Sequence, residues 1–322
     1  MKRIFCSIAA AMVIVSLLPI PGWAAERLIP GGEIIGLQLR SDTLTVTAFE
    51  DCPDNPAKTA GIQIGDEIVS INGRRIRCAG DIRKALEAGQ ESASMTICRE
   101  GKKQNLTLCP RRDENGPRLG VYLRQGIAGI GTVTWYDPDT GKFGTLGHGV
   151  SSARGTLLEM TEGMAYEAEI VSVKKGKCGQ PGQLKGTAEA ETICGQLLRN
   201  TPQGVFGTSK TGWKGEPLPV AAYDEVQTGP ATIRSTVRGD TPREYSVEIL
   251  KIYPEDRKDG RNFLLKVTDP ALLEITGGIV QGMSGSPICQ NGKIVGAVTH
   301  VLVNDPTMGY GIFIENMLDA AA

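Results

Sequence analysis

The stretch "GMSGSPICQNGKIVGAVTHV", Gly282 to Val301, decides how the chain is read. A serine stands between glycines, a second serine and a proline follow, and an apolar strand comes next. Gly, Ser and Pro are ordinary turn residues, so Gly282–Pro287 fits a surface turn as well as a nucleophile on a tight turn. A hydroxyl is a poor nucleophile until a nearby base takes its proton. Histidine is the usual base because its pKa lies near working pH. The chain has two histidines, so the search is short. His148, in "FGTLGHGV", has glycine on both sides, which allows close backbone approach and leaves the imidazole accessible. His300, in "GAVTHVLV", reads as a core residue or a pocket wall. His148 is therefore the candidate base.

A third member would be a carboxylate that fixes the imidazole tautomer. Asp269 ends the apolar run "NFLLKVTD", fifteen residues before Ser284. Asp305, in "NDPT", and Asp137 and Asp139, in "YDPDTG", lie in turn sequences where Asp commonly bonds its own backbone. Asp269 is the candidate acid. Gly282 permits a backbone that turns its N–H toward the same point as the N–H of Ser284. Two such donors form an oxyanion hole, and losing one costs ~10²–10³ in rate. Gly285 removes a side chain that would crowd the hydroxyl. Ser286 is the rival nucleophile, but Pro287 behind it favours an extended backbone at that position.

The rest of the chain sets the context. Its 322 residues suffice for two domains. Lys and Arg total 35 against 36 Asp and Glu, and no basic run occurs, so a nucleic-acid partner is not expected. With 41 glycines and 5% aromatics, short strands and tight turns are favoured over a helical bundle. "MKRIFCSIAAAMVIVSLLPIPGWAAE" has a basic start, an apolar run and small residues at its end, the plan of an export signal. A retained membrane anchor is the alternative, because the run is near spanning length. Seven cysteines follow the signal, an odd number. Pairs such as Cys98 with Cys109 or Cys178 with Cys194, and buried free thiols, both remain open. No Cys-x-x-Cys pair occurs, so no metal and no cofactor is expected.

From Arg27 to about Arg112 the pattern reads as one small unit. "TLTVTAF" alternates, "IVSING" ends in an Asn-Gly turn, and "AGDIRKALEAG" puts Ile82, Ala85 and Leu86 on one helical face. "ASMTICRE" and "NLTLCP" form a hairpin around "EGKKQ". "NPAKTAGIQIGDEIVSINGRRI" resembles the PDZ family through Ala60-Gly61, Gly65-Asp66 and Ile71-Asn72-Gly73. On that resemblance "IIGLQL" sits where such domains keep a carboxylate-binding loop. Ile35, Gly36 and Leu37 would then bind a peptide terminus, and the next strand edge would take the peptide as an added strand. A PDZ-like unit that only packs on its neighbour is the alternative. "RRDENGPRLG", Arg111–Gly120, reads as a linker. Beyond it, Gly-punctuated strands argue a barrel or sandwich.

"GMSGSPICQNGKIVGAVTHV" resembles the serine region of chymotrypsin-type proteases, and the order His148, Asp269, Ser284 is that superfamily's order. Met283 stands where digestive members carry an acidic residue, and Ser286 replaces a second glycine. A PDZ unit ahead of the protease, with "TLGHGV", "NTPQGVFG", "VTDPALL", "GGIVQGMSGSPICQNGKIVGAVTHVLVNDPT" and "GYGIFIE", is similar to the stage IV sporulation protein B peptidases.

The resemblance implies a mainly β fold: a PDZ domain over 27–112 and a chymotrypsin-like double β-barrel over 113–322, behind a signal or anchor at 1–25. It implies a serine endopeptidase of sporulation signalling, exported across the inner forespore membrane into the intermembrane space. Such a protease cuts itself and the extracytoplasmic part of a membrane-bound inhibitor, stage IV sporulation protein FA. That releases an intramembrane protease, which matures a late sigma factor. The residues expected at the site are His148, Asp269 and Ser284, with Gly282 and Ser284 as oxyanion donors. A non-catalytic exported PDZ scaffold and an ester hydrolase are the alternatives.

Overall fold

The computed structural model describes residues 27–87, 91–114, 116–152, 155–253 and 260–322. The export segment lies outside them, as does Gly89, where the helix of the small unit is expected to stop. Among the described residues no helix is long and apolar enough to cross a membrane. The architecture is mainly β: two antiparallel barrels and a PDZ unit.

The first barrel closes from six strands, Ile34–Arg40, Ile127–Tyr136, Lys142–Thr145, Gly204–Ser209, Gln183–Thr201 and Glu162–Lys174. The second is a closed ring of Gly229–Ser235, Arg243–Ile252, Phe263–Val267, Asp305–Phe313, Lys293–Leu302 and Pro287–Gln290. Apolar residues of both barrels meet: Ile34, Ile170 and Leu184 of the first pack in one cluster with Ile279, Met283 and Ile288. This is the double-barrel plan of a chymotrypsin-like fold. Arg234 crosses between the barrels, donating to Pro30 O at 2.8 Å and lying 3.6 Å from the Glu33 carboxylate. Burial raises the pKa of Glu33 above the usual carboxylate range, against the opposing pull of Arg234.

The PDZ unit is a six-strand sheet in the order Val121–Arg124, Leu44–Phe49, Glu67–Ile71, Ala93–Arg99, Lys102–Leu108, with the short strand Arg74–Arg75 paired to Glu67–Ile71 off that path. The helix Ala79–Leu86 buries Ile82, Ala85 and Leu86, the face expected from its spacing. Asn72 and Gly73 both have positive φ, 49° and 74°, the backbone that a two-residue hairpin turn demands. Glu100 and Gly101 do the same, so that turn is tighter than "EGKKQ" suggested.

The boundaries differ from expectation. Residues 27–40 belong to the barrel and not to the PDZ unit. Ile35, Gly36 and Leu37 lie in a central strand whose edges are both paired: Gly36 faces Ile130 on one side and Tyr166 on the other. A Cβ on Gly36 would lie 2.5 Å from Ala188 Cβ, so this glycine serves strand packing. With both edges bonded, Ile35–Leu37 cannot grip a carboxylate or add a strand. Nor is Arg111–Gly120 a linker. It forms a hairpin inside the PDZ unit, Leu119 is buried in that core, and Gly120 O accepts from Asn55 Nδ2 at 2.7 Å. The PDZ unit is thus an insertion between two adjacent strands of the first barrel.

Asp66 is nearly fully buried in the PDZ unit and receives both Nε (2.8 Å) and Nη2 (2.7 Å) of Arg99. Removing one partner strands a buried charge. Arg99→Ala is expected to destabilise the unit by about 3 kcal/mol, read from the urea midpoint of the full chain.

Candidate active site

The turn Gly282–Ser286 joins the core to the strand Pro287–Gln290. Gly282 and Gly285 have φ of +101° and +96°, a region that side chains rarely adopt. Met283 is fully buried in the inter-barrel cluster and anchors the turn by packing.

Each peptide plane around Ser284 is held. Gly282 O accepts from Thr132 Oγ1 at 2.8 Å, and Met283 N donates to Val280 O at 3.1 Å. Met283 O accepts from Ser286 N at 3.0 Å. A trans peptide points its C=O and N–H in opposite directions, so this bond turns the Ser284 N–H the other way. Ser284 O accepts from Thr132 N at 3.2 Å, and Gly285 N donates to Val298 O at 2.8 Å.

Ser284, Gly282, His148, Thr299 and His300 all line one cavity of about 1020 Å³ between the barrels. His148 follows a turn in which Leu146 and Gly147 both have positive φ, 71° and 66°. Leu146 is bulky, so its left-handed backbone stores strain beside the imidazole. The His148 and His300 rings lie 5.5 Å apart between centroids, which makes His300 a wall of the cavity.

His148 Nδ1 is 3.1 Å from Gly149 O. A carbonyl oxygen only accepts, so Nδ1 carries the hydrogen and Nε2 keeps the basic lone pair. Burial lowers the His148 pKa below its ordinary value, and the Gly149 carbonyl opposes that shift. The neutral imidazole is thus the favoured form. The Ser284 hydroxyl donates to Thr299 O at 2.8 Å, so it must rotate off that carbonyl to meet a base. Freeing it costs about one hydrogen bond, ~0.5–1.5 kcal/mol.

Ser286 is ruled out as the nucleophile: it is fully buried and its hydroxyl bonds Ser235 Oγ at 3.0 Å. Cys194 and Cys289 are also poor nucleophiles, since burial pushes their thiols up to about 11 and about 12. No disulfide joins the described cysteines.

Asp269 is not brought to His148. Its carboxylate caps the helix Pro270–Thr276, accepting from Leu272 N at 3.0 Å and from Ser246 N at 3.3 Å. It does not line the cavity that holds His148 and Ser284. The rival Asp305 bonds its own turn through Thr307 N and Oγ1, and Asp137 does so through Asp139 N. In this structure a backbone carbonyl, Gly149 O, orients the imidazole.

The match to known families follows this geometry. The model of the SpoIVB peptidase S55 family matches residues 115–318, and that of the PDZ domain matches 52–99. The chain belongs to the SpoIVB peptidase S55 family. The same chain therefore carries both a peptidase-family match and a PDZ match.

Similar proteins share smaller parts. A Rhizobium meliloti protein named as a zinc metalloprotease is 36% identical over 88 residues, 27% of this chain and 23% of its own. A Pseudomonas fluorescens protein named as a DegP-like periplasmic serine endoprotease is 31% identical over 125 residues, 36% of this chain and 25% of its own. The chain spans about a quarter of the length of these curated relatives. Among solved structures, the active form of the Rv3671c protease of M. tuberculosis has 14% identity and a TM-score of 0.37, covering 61% of this chain and 73% of its own.

Two outcomes test the site. Asn caps helices as well as Asp. Asp269→Asn is therefore expected to keep the cap and the activity and to lose only the Ser246 N bond, ~0.5–1.5 kcal/mol, whereas loss of a triad acid would cut kcat ~10⁴-fold. Because His148 must be neutral to accept a proton and burial lowers its pKa, the acid limb of activity should be centred below the ordinary histidine value of 6.5. A pH–rate profile locates that acid limb.

Proposed function

We propose that this chain is an exported serine endopeptidase of narrow specificity, acting in sporulation signalling. The observation that carries the reading is the shared cavity of His148 and Ser284, with the serine on a turn whose peptide planes are all held. Ser284 Oγ leaves Thr299 O and attacks the scissile carbonyl carbon as His148 Nε2 takes its proton. The resulting oxyanion lies against the N–H groups of Gly282 and Ser284. Collapse breaks the C–N bond, and His148 returns the proton to the leaving amine. Water, deprotonated by His148, then releases the acyl group.

Among the described residues the cavity is lined by no Asp, Glu, Lys or Arg, and Leu37, Ile130, Ile279, Val280 and Val301 are among its walls. This supports uncharged, apolar residues around the scissile bond. In the PDZ sheet, Val121–Arg124 is an end strand, paired to Leu44–Phe49 on one edge. Its other edge is the place for a substrate or chain-end peptide, in place of Ile35–Leu37. The substrates in this reading are the chain itself and the extracytoplasmic part of a membrane-bound regulator like stage IV sporulation protein FA. The N-terminal segment would bring the enzyme to the membrane, and its site of action is the forespore intermembrane space.

The test is Ser284→Ala. Purified wild-type chain should react with a fluorophosphonate and generate a new N-terminus on incubation. The variant should do neither while keeping the wild-type melting temperature. Labelling of the variant at the wild-type rate would sink the assignment.

A further inference from the structure

Thr132 is the point where the two catalytic segments meet. It lies in the strand Ile127–Tyr136, and no part of it reaches solvent. Toward the second barrel, its hydroxyl donates to Gly282 O at 2.8 Å and its N–H to Ser284 O at 3.2 Å. Toward the histidine segment, its carbonyl accepts from Leu146 N at 3.3 Å and from Thr145 Oγ1 at 2.5 Å. Every polar group of one residue is therefore engaged with the turn of Ser284 or with the turn before His148.

The packing around it is equally close. A Cβ on Gly285 would lie 2.1 Å from Thr132 O and 2.5 Å from Leu146 N, so the nucleophile turn touches both residues directly. Leu146 keeps its strained left-handed backbone while its N–H is tied to Thr132 O. On the strand's other side Val133 N bonds Glu33 O, which fixes the height of Thr132 in the barrel.

We propose that Thr132 is a positioning residue of the protease. Through Gly282 O and Ser284 O it holds the two peptides that flank the one carrying the Ser284 N–H, and through Leu146 N it ties the turn before His148 to them. This rests on Ser284 being the nucleophile. Thr132 does not touch substrate; it acts through the groups that do. Its hydroxyl is the separable part, because the N–H and C=O contacts survive any side-chain change.

The experiment compares full-length wild type, Thr132→Val and Thr132→Ser by fluorophosphonate labelling rate over pH, alongside thermal melting. Valine keeps the shape and removes the donor; serine keeps the donor. Thr132→Val is expected to label about tenfold more slowly at saturating probe, the worth of one hydrogen bond. The half-saturating probe concentration should not change, and Thr132→Ser should recover the wild-type rate. Thr132→Val labelling at the wild-type rate overturns the proposal. So does a serine variant as slow as the valine one, which would mean packing and not the hydroxyl. A wild type that never labels instead defeats the nucleophile reading beneath it.

Discussion

The pairing of Ile34–Arg40 with Ile127–Tyr136 is the constraint on which the molecule depends. Without that ladder the first barrel stays open, because the strand Ile34–Arg40 is what joins Glu162–Lys174 to Ile127–Tyr136. The same ladder carries Thr132 to the seam between barrels, where it meets the turn of Ser284. The strand that closes the barrel is thus also the strand that reaches the site. The buried cluster around Met283 and Leu184 supplies the apolar drive that holds the halves together.

The site combines strain with tight anchoring. Gly282 and Gly285 adopt backbones open to glycine at little cost, whereas Leu146 adopts one that costs a bulky residue energy. Hydrogen bonds and packing on every side determine these conformations. By contrast the Ser284 hydroxyl is held by one bond, to Thr299 O, while the peptides around it are held on several sides.

Much of this was legible in the sequence, for physical reasons. Glycines around Ser284 announced a backbone with positive φ. Asn72-Gly73 announced a hairpin turn, and the spacing of Ile82, Ala85 and Leu86 announced a helix face. Asp269 was misread although its own signal was present: Asp followed by Pro at the start of "DPALLEIT" is the mark of a capped helix with proline in its first position. "IIGLQL" was misread because a run buried on both faces and bonded at both edges looks like any apolar loop beside glycines. The reach of Thr132 across to Gly282 could not be seen, since the bond spans 150 positions of chain. Two threonines, Thr132 and Thr134, inside an otherwise apolar strand were the local hint, and nothing in the sequence set one above the other.

The inserted PDZ unit has a consequence for how the chain acquires its shape. Its entry and exit are tied side by side: the Gln125 amide donates to Ser41 O at 3.2 Å and to Arg77 O at 3.0 Å. An unstructured stretch of that length would have to be closed at an entropic cost before the flanking strands could zip. Once the insert has collapsed on its own core, the two strands emerge as the arms of a short hairpin. The topology thereby favours a route in which the guest domain condenses first and the host barrel forms around the junction that the guest provides.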